Sequence, residues 1–473
     1  MTAERVPLST KLSYGLGAVA YGIKDNGFSV FLLLFYNQVV GLPADQVGFA
    51  IMIALFVDAF VDPAIGSLSD RTHTRIGRRH PWLYGSALPI ALSWVLLWNP
   101  PQAGTAATLG YLVVIAILVR AAISTNEVPS AAMVPELTRD YHERTAVIRY
   151  RYVFGWAGGL AMLMLAYGYL LRPPTGPTAG PGYHNFGVVG AIVMLVSVLA
   201  SAIGTHKRLA HPPKARIESL SVGKEIRAIL STLGNRAFVL LISAGVFAYI
   251  NQGIAFAMSN YLLGFVWLFR PVDFLTYSIC LFAGVLLAFF IVTPVARAFG
   301  KRGGAAIMTL LSAAFGTTPY WLRLARIFPE PGDPQLLPIL LTMVGLATGF
   351  GVCVMMLIGS MIADVVEAAE EQSGKREEGL FYAGGLFMQK CTSGLGIFAS
   401  GILLSASGFP AKAVPGKVPV EVLDRLTTFV AGLTVLIALA ASWLFTRFPI
   451  SKADHEARLA KLAVASAESG GNP

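Results

Sequence analysis

The chain has 473 residues, 55% of them hydrophobic and 13% charged, with a formal net charge of +10 and a mean hydropathy of +0.64. Soluble domains carry about 25% charged residues, so a water-soluble fold is excluded, and the positive charge does not read as a nucleic-acid surface. Apolar runs of about 20 residues are too long for barrel strands of roughly 10, and a backbone in lipid must satisfy its own hydrogen bonds, which leaves an all-α integral membrane protein.

In chain order, spans are expected near residues 13–39, 45–69, 82–99, 106–137, 147–171 and 184–205, then 237–263, 273–297, 304–322, 336–368, 379–406 and 424–446. The first run is interrupted by Lys24-Asp25 and lacks a small-residue cleavage site, so it reads as a span rather than a signal peptide. A polar stretch at 206–236, with seven Lys/Arg including Lys207, Arg208, Lys214 and Arg216, divides the spans six and six. The expected organisation is an N-terminal six-helix bundle at 1–205, a central loop at 206–236, a second bundle at 237–447 and a tail at 448–473.

Basic residues fall mainly in alternate loops, and the bias weakens late in the chain, where Arg323, Arg326, Lys412, Lys417 and Arg425 lie in loops 9–10 and 11–12. Arg71, Arg75, Arg78 and Arg79 follow span 2, and Arg139, Arg144, Arg149 and Arg151 surround the turn into span 5. Arg297, Lys301 and Arg302 follow span 8, and Lys375 and Arg376 follow span 10. Loops 1–2 and 3–4 have no Lys or Arg, and loop 5–6 has only Arg172. The positive-inside rule then puts both termini and the central loop in the cytoplasm. The turns after spans 2 and 8 echo each other, Asp70-Arg71 with Gly77-Arg78-Arg79 against Arg297 with Gly300-Lys301-Arg302. Asp70 is expected to pair with an arginine and tether neighbouring spans. Cys280, Cys353 and Cys391 lie in apolar runs with no CxxC spacing and read as small core residues.

A charge at the bilayer centre costs at least about 2.5–3.5 kcal/mol, so intramembrane ionisable residues mark function. Asp58 and Asp62 in span 2 are four residues apart and share a helix face. Two such carboxylates repel unless a cation lies between them or one takes up a proton, which makes them a Na⁺ or H⁺ site. Glu127 in span 4 follows Ser124 by one turn, precedes the helix-kinking Pro129, and faces a candidate partner in Arg151. Lys390 in span 11 needs an acidic partner, for which the first-half carboxylates serve. Asp25 in span 1 lies next to Lys24, but neighbouring helical residues point about 100° apart, so the two are not expected to touch. Asp364 and Glu367, closing span 10, read as gate partners for Arg144 or Arg376.

These residues carry a resemblance. Lys11-Leu12-Ser13-Tyr14-Gly15-Leu16-Gly17, Phe35-Tyr36, Asp58-Ala59-Phe60-Val61-Asp62-Pro63 and Gly77-Arg78-Arg79-His80-Pro81-Trp82 resemble the glycoside–pentoside–hexuronide:cation symporters of the major facilitator superfamily. So do Val134-Pro135-Glu136-Leu137-Thr138, Glu143-Arg144-Thr145, Arg376-Glu377-Glu378-Gly379-Leu380-Phe381 and Lys390. The resemblance implies twelve transmembrane helices in two six-helix bundles and cation-coupled symport of a sugar or glycoside by alternating access. It implies a cation site of Asp58, Asp62 and Ser124, with Glu127 and Arg151 at the substrate and Lys390 close to both; Asp25 and Lys390 are counted with the substrate residues, Asp25 lying three residues past Gly22 on roughly the same face. Two positions depart from the pattern: Val61 stands where the family's sodium site has an Asn, and an ungapped count puts the family's sugar-binding Asp on Gly22. The first departure turns the expectation toward H⁺, and the second toward a different pocket.

The alternative substrate class is a lysolipid or other amphipathic metabolite. An enzyme is not expected: there is no HExxH, no nucleotide-binding loop, and all seven histidines lie in or near loops. No cofactor beyond the coupling ion is expected. The expected partners are a small-molecule substrate, a sugar, and membrane lipid, with no nucleic acid. The expected form is a functional monomer in the plasma membrane of a bacterium, the inner membrane.

Overall fold

The computed structural model describes residues 6–138, 141–171, 176–178, 180–209, 223, 227, 231–373 and 378–450. Arg139, Arg172, Lys214, Arg216, Lys375, Arg376 and the tail beyond 450 lie outside them. The described residues are helical and contain no strand. Twelve crossings follow in order: α1 (Leu8–Val40), α2 (Ala44–Arg71), α3 (His80–Leu97), α4 (Thr105–Leu137), α5 (Tyr141–Leu165) and α6 (Gly180–Leu209). Then come α7 (Arg236–Val266), α8 (271–299), α9 (301–324), α10 (Leu336–Ser373), α11 (Glu378–Ser407) and α12 (Val420–Thr446).

Helices α8 and α9 are one continuous segment, Pro271–Leu324, of 54 residues. At about 1.5 Å per residue it would run about 80 Å, far beyond the ~30 Å hydrocarbon core. Gly300 breaks it with φ 69° and ψ 167°, a conformation that glycine adopts without strain, and so makes two crossings. Large apolar side chains on the outward faces, among them Leu88, Val114, Ile192, Phe289 and Phe290, are more than half exposed. A soluble protein would bury them; here they are the lipid-facing surface.

Helix α1 is irregular. Two stretches, Gly27–Phe31 and Phe35–Val40, widen to i→i+5 hydrogen bonding, a local form frequent at functional sites. Near its start α1 touches α5 backbone to backbone: a Cβ on Gly22 would lie 2.0 Å from the Gly155 carbonyl oxygen. Small residues permit this contact, the usual device of helix packing in lipid.

Compactness divides the chain into two units that do not follow its midpoint. The first holds residues 1–226 with 253–279 and 393–429. In it α2 packs along α4, α3 against α4 and α6, and α1 against α5 and α6. The second holds residues 227–252, 280–392 and 430–473. Its core draws Phe238 from α7, Ala288 from α8, Ala305 from α9, Leu357 and Met361 from α10, Phe381 from α11 and Phe445 from α12. Cys353 is buried in that same core.

Candidate functional site in the first six helices

The α2–α4 contact brings the span-2 carboxylates onto one face of α4. Asp58 is buried, and its Oδ2 accepts from Arg120 Nε at 3.1 Å and Nη2 at 2.5 Å. Its Oδ1 lies 2.9 Å from Ser124 Oγ, and the same hydroxyl lies 2.7 Å from Asp62 Oδ1. Asp58, Asp62 and Ser124 therefore meet, the two aspartates on the face their spacing sets and Ser124 where the resemblance implies it. A hydroxyl has one proton to donate, so the chain Asp58–Ser124–Asp62 is complete only when one carboxyl brings a second proton.

Arg120 is the residue that sequence reasoning missed. It lies on the same face as Ser124 and Glu127, four and seven residues before them, and an arginine inside an apolar run was signal enough. Its presence bears on which of Na⁺ and H⁺ the expected cation site can hold. A metal ion needs carboxylate oxygens directed at an electronegative vacancy, and at Asp58 a guanidinium fills that place. The donor set does not fit an alkali-metal ion on Asp58.

A second cluster joins α1, α4 and α5. Lys24, buried at 4% exposure, places Nζ 3.1 Å from Glu127 Oε2. The expectation that Lys24 and Asp25 do not touch is corrected: Nζ also lies 3.2 Å from Asp25 Oδ1, because the four-carbon stem curls back along the helix. Asp25 itself is 65% exposed. Arg151 lies 3.8 Å from Glu127 Oε1, so the expected pair exists, yet Lys24 is the closer base. Arg151 is held more firmly by its other contacts. Nη1 donates to Ser130 Oγ at 3.1 Å, Nη2 to the Glu127 carbonyl at 3.3 Å, and the guanidinium stacks 4.8 Å over Tyr21. Tyr21 donates to Asn126 at 2.7 Å, and Asn126 to Ser86 at 3.0 Å. At Gly22, where the resemblance places a carboxylate, the Gly155 carbonyl leaves no room for a side chain.

Lys390 stands half-buried on α11, in the second unit. Of the residues expected at a gate, Arg376 lies outside the described residues, and Asp364 Oδ1 takes Lys301 Nζ at 2.6 Å. The sharp turn at Gly300 delivers that lysine to α10. Arg144 Nε donates to the Thr138 carbonyl at 3.0 Å, and Glu367 is exposed. Asp70 pairs with Arg79 as expected. Glu136 joins them, 2.7 Å from Arg78 Nη2 and 3.1 Å from Arg79 Nε, tying the end of α4 to the turn after α2.

At the other end of the first unit a seal links the two sequence halves. Tyr167 donates to Asn260 Oδ1 at 2.8 Å, and Asn260 donates to the Val30 carbonyl at 2.9 Å. Tyr261 donates to Asn37 at 2.9 Å. Gln38 donates to the Pro410 carbonyl at 3.0 Å and accepts from the Ala413 amide at 2.8 Å. The sequence offered no signal for this seal, because uncharged amides and tyrosines in apolar runs look like ordinary core.

Twelve crossings, with a buried charged cluster among the first six, define a secondary transporter of the major facilitator type. An uncharacterized symporter of Synechocystis sp. is 28% identical over 96% of both chains. An isoprimeverose transporter of Lactiplantibacillus pentosus is 26% identical over 86% of this chain and 82% of its own. The crystal structure of a D-xylose–proton symporter shares the fold, with a TM-score of 0.66 at 14% identity over 94% of this chain and 98% of that one. The family described as MFS/sugar transport protein matches residues 13–452, and the chain belongs to it, within the glycoside–pentoside–hexuronide:cation symporters.

Proposed function

We propose that the chain is a cation-coupled symporter that carries a sugar or glycoside across the plasma membrane, the inner membrane of a bacterium, by alternating access. The observation that supports this best is the run of buried charge across α1, α2, α4 and α5, which membership in a sugar-transport family explains and which stability does not require. Glu127 and Arg151, supported by Asp25 and Lys390, recognise substrate hydroxyls. The coupling cation is taken up at Asp58, Asp62 and Ser124, and the single hydroxyl proton shared between two carboxylates supports H⁺ in that role. Arg144, Asp364 and Glu367 act at the cytoplasmic gate, and the Tyr167–Asn260–Val30 and Gln38–Pro410 contacts part when the opposite side opens. The substrate is moved unaltered, and one chain suffices.

The test is uptake of a panel of radiolabelled sugars into proteoliposomes, with pH and Na⁺ gradients imposed separately. Accumulation of one sugar under an ion gradient is the expected result. Absence of sugar flux together with lysolipid flux would move the reading to an amphipathic-metabolite carrier. Both termini are read as cytoplasmic. Cysteines introduced at Thr175 and Ser219 should be labelled from outside and inside respectively, and the reverse pattern would overturn that orientation.

A further inference from the structure

The position of Arg120 carries a consequence for the ion the carrier accepts. Both oxygens of Asp58 are committed, Oδ2 to two guanidinium nitrogens of Arg120 and Oδ1 to Ser124. Arg120 is 4% exposed, and the Phe28 ring lies 5.3 Å from its Cζ, so the side chain cannot turn away into water. An arginine does not give up its proton in a protein. Asp58 therefore faces a permanent positive charge that is covalently attached and cannot diffuse away.

We propose that Arg120 is a tethered cation that occupies the metal-ion position at Asp58 and thereby excludes alkali-metal ions from this carrier. The proposal rests on the reading of Asp58, Asp62 and Ser124 as the coupling site and adds what sets its selectivity. Without Arg120, Asp58 Oδ1, Asp62 Oδ1 and Ser124 Oγ would form three oxygens gathered around one point, with the hydroxyl 2.9 and 2.7 Å from the two carboxylates. Oxygen sets of that kind suit hard cations. With Arg120 in place, a metal ion on the same carboxylate would lie about 4 Å from a like charge. At an effective dielectric of about 20, that repulsion weakens occupancy by about a thousandfold. The nearby carboxylates do not remove it, because Glu127 and Asp25 are already offset by Lys24 and Arg151.

The experiment is equilibrium binding of radiolabelled Na⁺ to the purified full-length protein, with choline chloride holding ionic strength constant. The parent is expected to retain no Na⁺ above the choline background. Arg120→Gln keeps side-chain length and drops the charge. It is expected to gain Na⁺ binding at least about a hundredfold tighter than the parent, to melt at a higher temperature in NaCl than in choline chloride, and to lose both properties when combined with Asp62→Asn. Saturable Na⁺ binding by the parent at the strength of Arg120→Gln would overturn the proposal, and so would a folded Arg120→Gln that ignores Na⁺. If Arg120→Gln does not fold, the charge-balanced Asp58→Asn/Arg120→Gln pair takes its place. It is expected to gain Na⁺ binding through Asp62, and indifference to Na⁺ in that variant counts equally against the proposal. Failure of the symport reading shows separately, as absent solute accumulation under either gradient, whatever Na⁺ does in the binding assay.

Discussion

Two of the settings in which ion pairs hold this chain contrast, the α2–α4 contact and the turns that follow α2 and α8. In the first, both partners are almost fully shielded, Asp58 at 1% and Arg120 at 5% side-chain exposure. In the second, Lys301 is 31% exposed opposite Asp364, and Glu136 is 21% exposed opposite Arg78 and Arg79. Dry charges cost several kcal/mol each to desolvate, so a buried pair contributes little net stability yet is severe to break. Half-wet pairs contribute little and break cheaply. The interior pair therefore fixes the electrostatics of a site, whereas the turn pairs serve as latches that can open and reform. The two turns also differ from each other. The turn after α2 uses two guanidiniums converging on Glu136, with Arg79 reaching Asp70 as well; the turn after α8 sets the Lys301 ammonium on Asp364.

The sharpest break in this contrast is Asp58→Asn, which leaves Arg120 buried without its counter-charge. A loss of about 3–5 kcal/mol is expected, read as the unfolding midpoint of the purified protein, and adding Arg120→Gln should recover most of it. An Asp58→Asn protein as stable as its parent would mean that water reaches the pair and the distinction fails. Next is Glu127→Gln, at the partly open cluster. Hydrogen bonds to a charged group contribute roughly 1.5–3 kcal/mol, so substrate should bind about ten- to a hundredfold more weakly in an equilibrium binding assay. Unchanged binding with lost transport would assign Glu127 to gating.

Glu136→Gln should cost less, about 1–2 kcal/mol, because the amide still accepts from one of the two arginines. Melting temperature measures the loss, and transport rate should change more than substrate affinity. Lys301→Ala stands last, at under about 1 kcal/mol. If Lys301→Ala proves as damaging as Glu136→Gln, the two latches are equivalent and the asymmetry read from their geometry is wrong.

Much of this was legible in the chain itself. The apolar runs gave the crossings because length and composition suffice for a helix in lipid. The four-residue spacing of Asp58 and Asp62 gave a shared face because helical periodicity leaves no other outcome. Ser124 and Glu127 followed from the same rule. Arg120 was legible on the same grounds and went unread beside the more familiar carboxylates. The Lys24–Asp25 contact was not legible from helix phase, because phase fixes where a Cβ points and says little about the end of a flexible stem. The partners of Asp364 required the backbone, since only the positive φ at Gly300 sets the direction in which Lys301 leaves α8. The seal of Asn37, Gln38, Tyr167, Asn260 and Tyr261 joins residues up to 375 positions apart and leaves no periodic trace.

The widened turns of α1 carry one more consequence. A turn that closes on i→i+5 holds a residue more than an ordinary helical turn, so Gly27–Phe31 and Phe35–Val40 are each a place where chain length is in surplus. Removing one residue between 27 and 31 would let an ordinary turn close with the phase beyond it nearly unchanged, whereas the same removal from a regular turn would rotate everything beyond it by about 100°. Tyr21 and Lys24 would keep their partners on α4, and Asn37 and Gln38 would keep Tyr261 and Pro410. The wide turns are slack in this sense: helix α1 can gain or lose a residue between its charged end and its sealing end without re-aiming either.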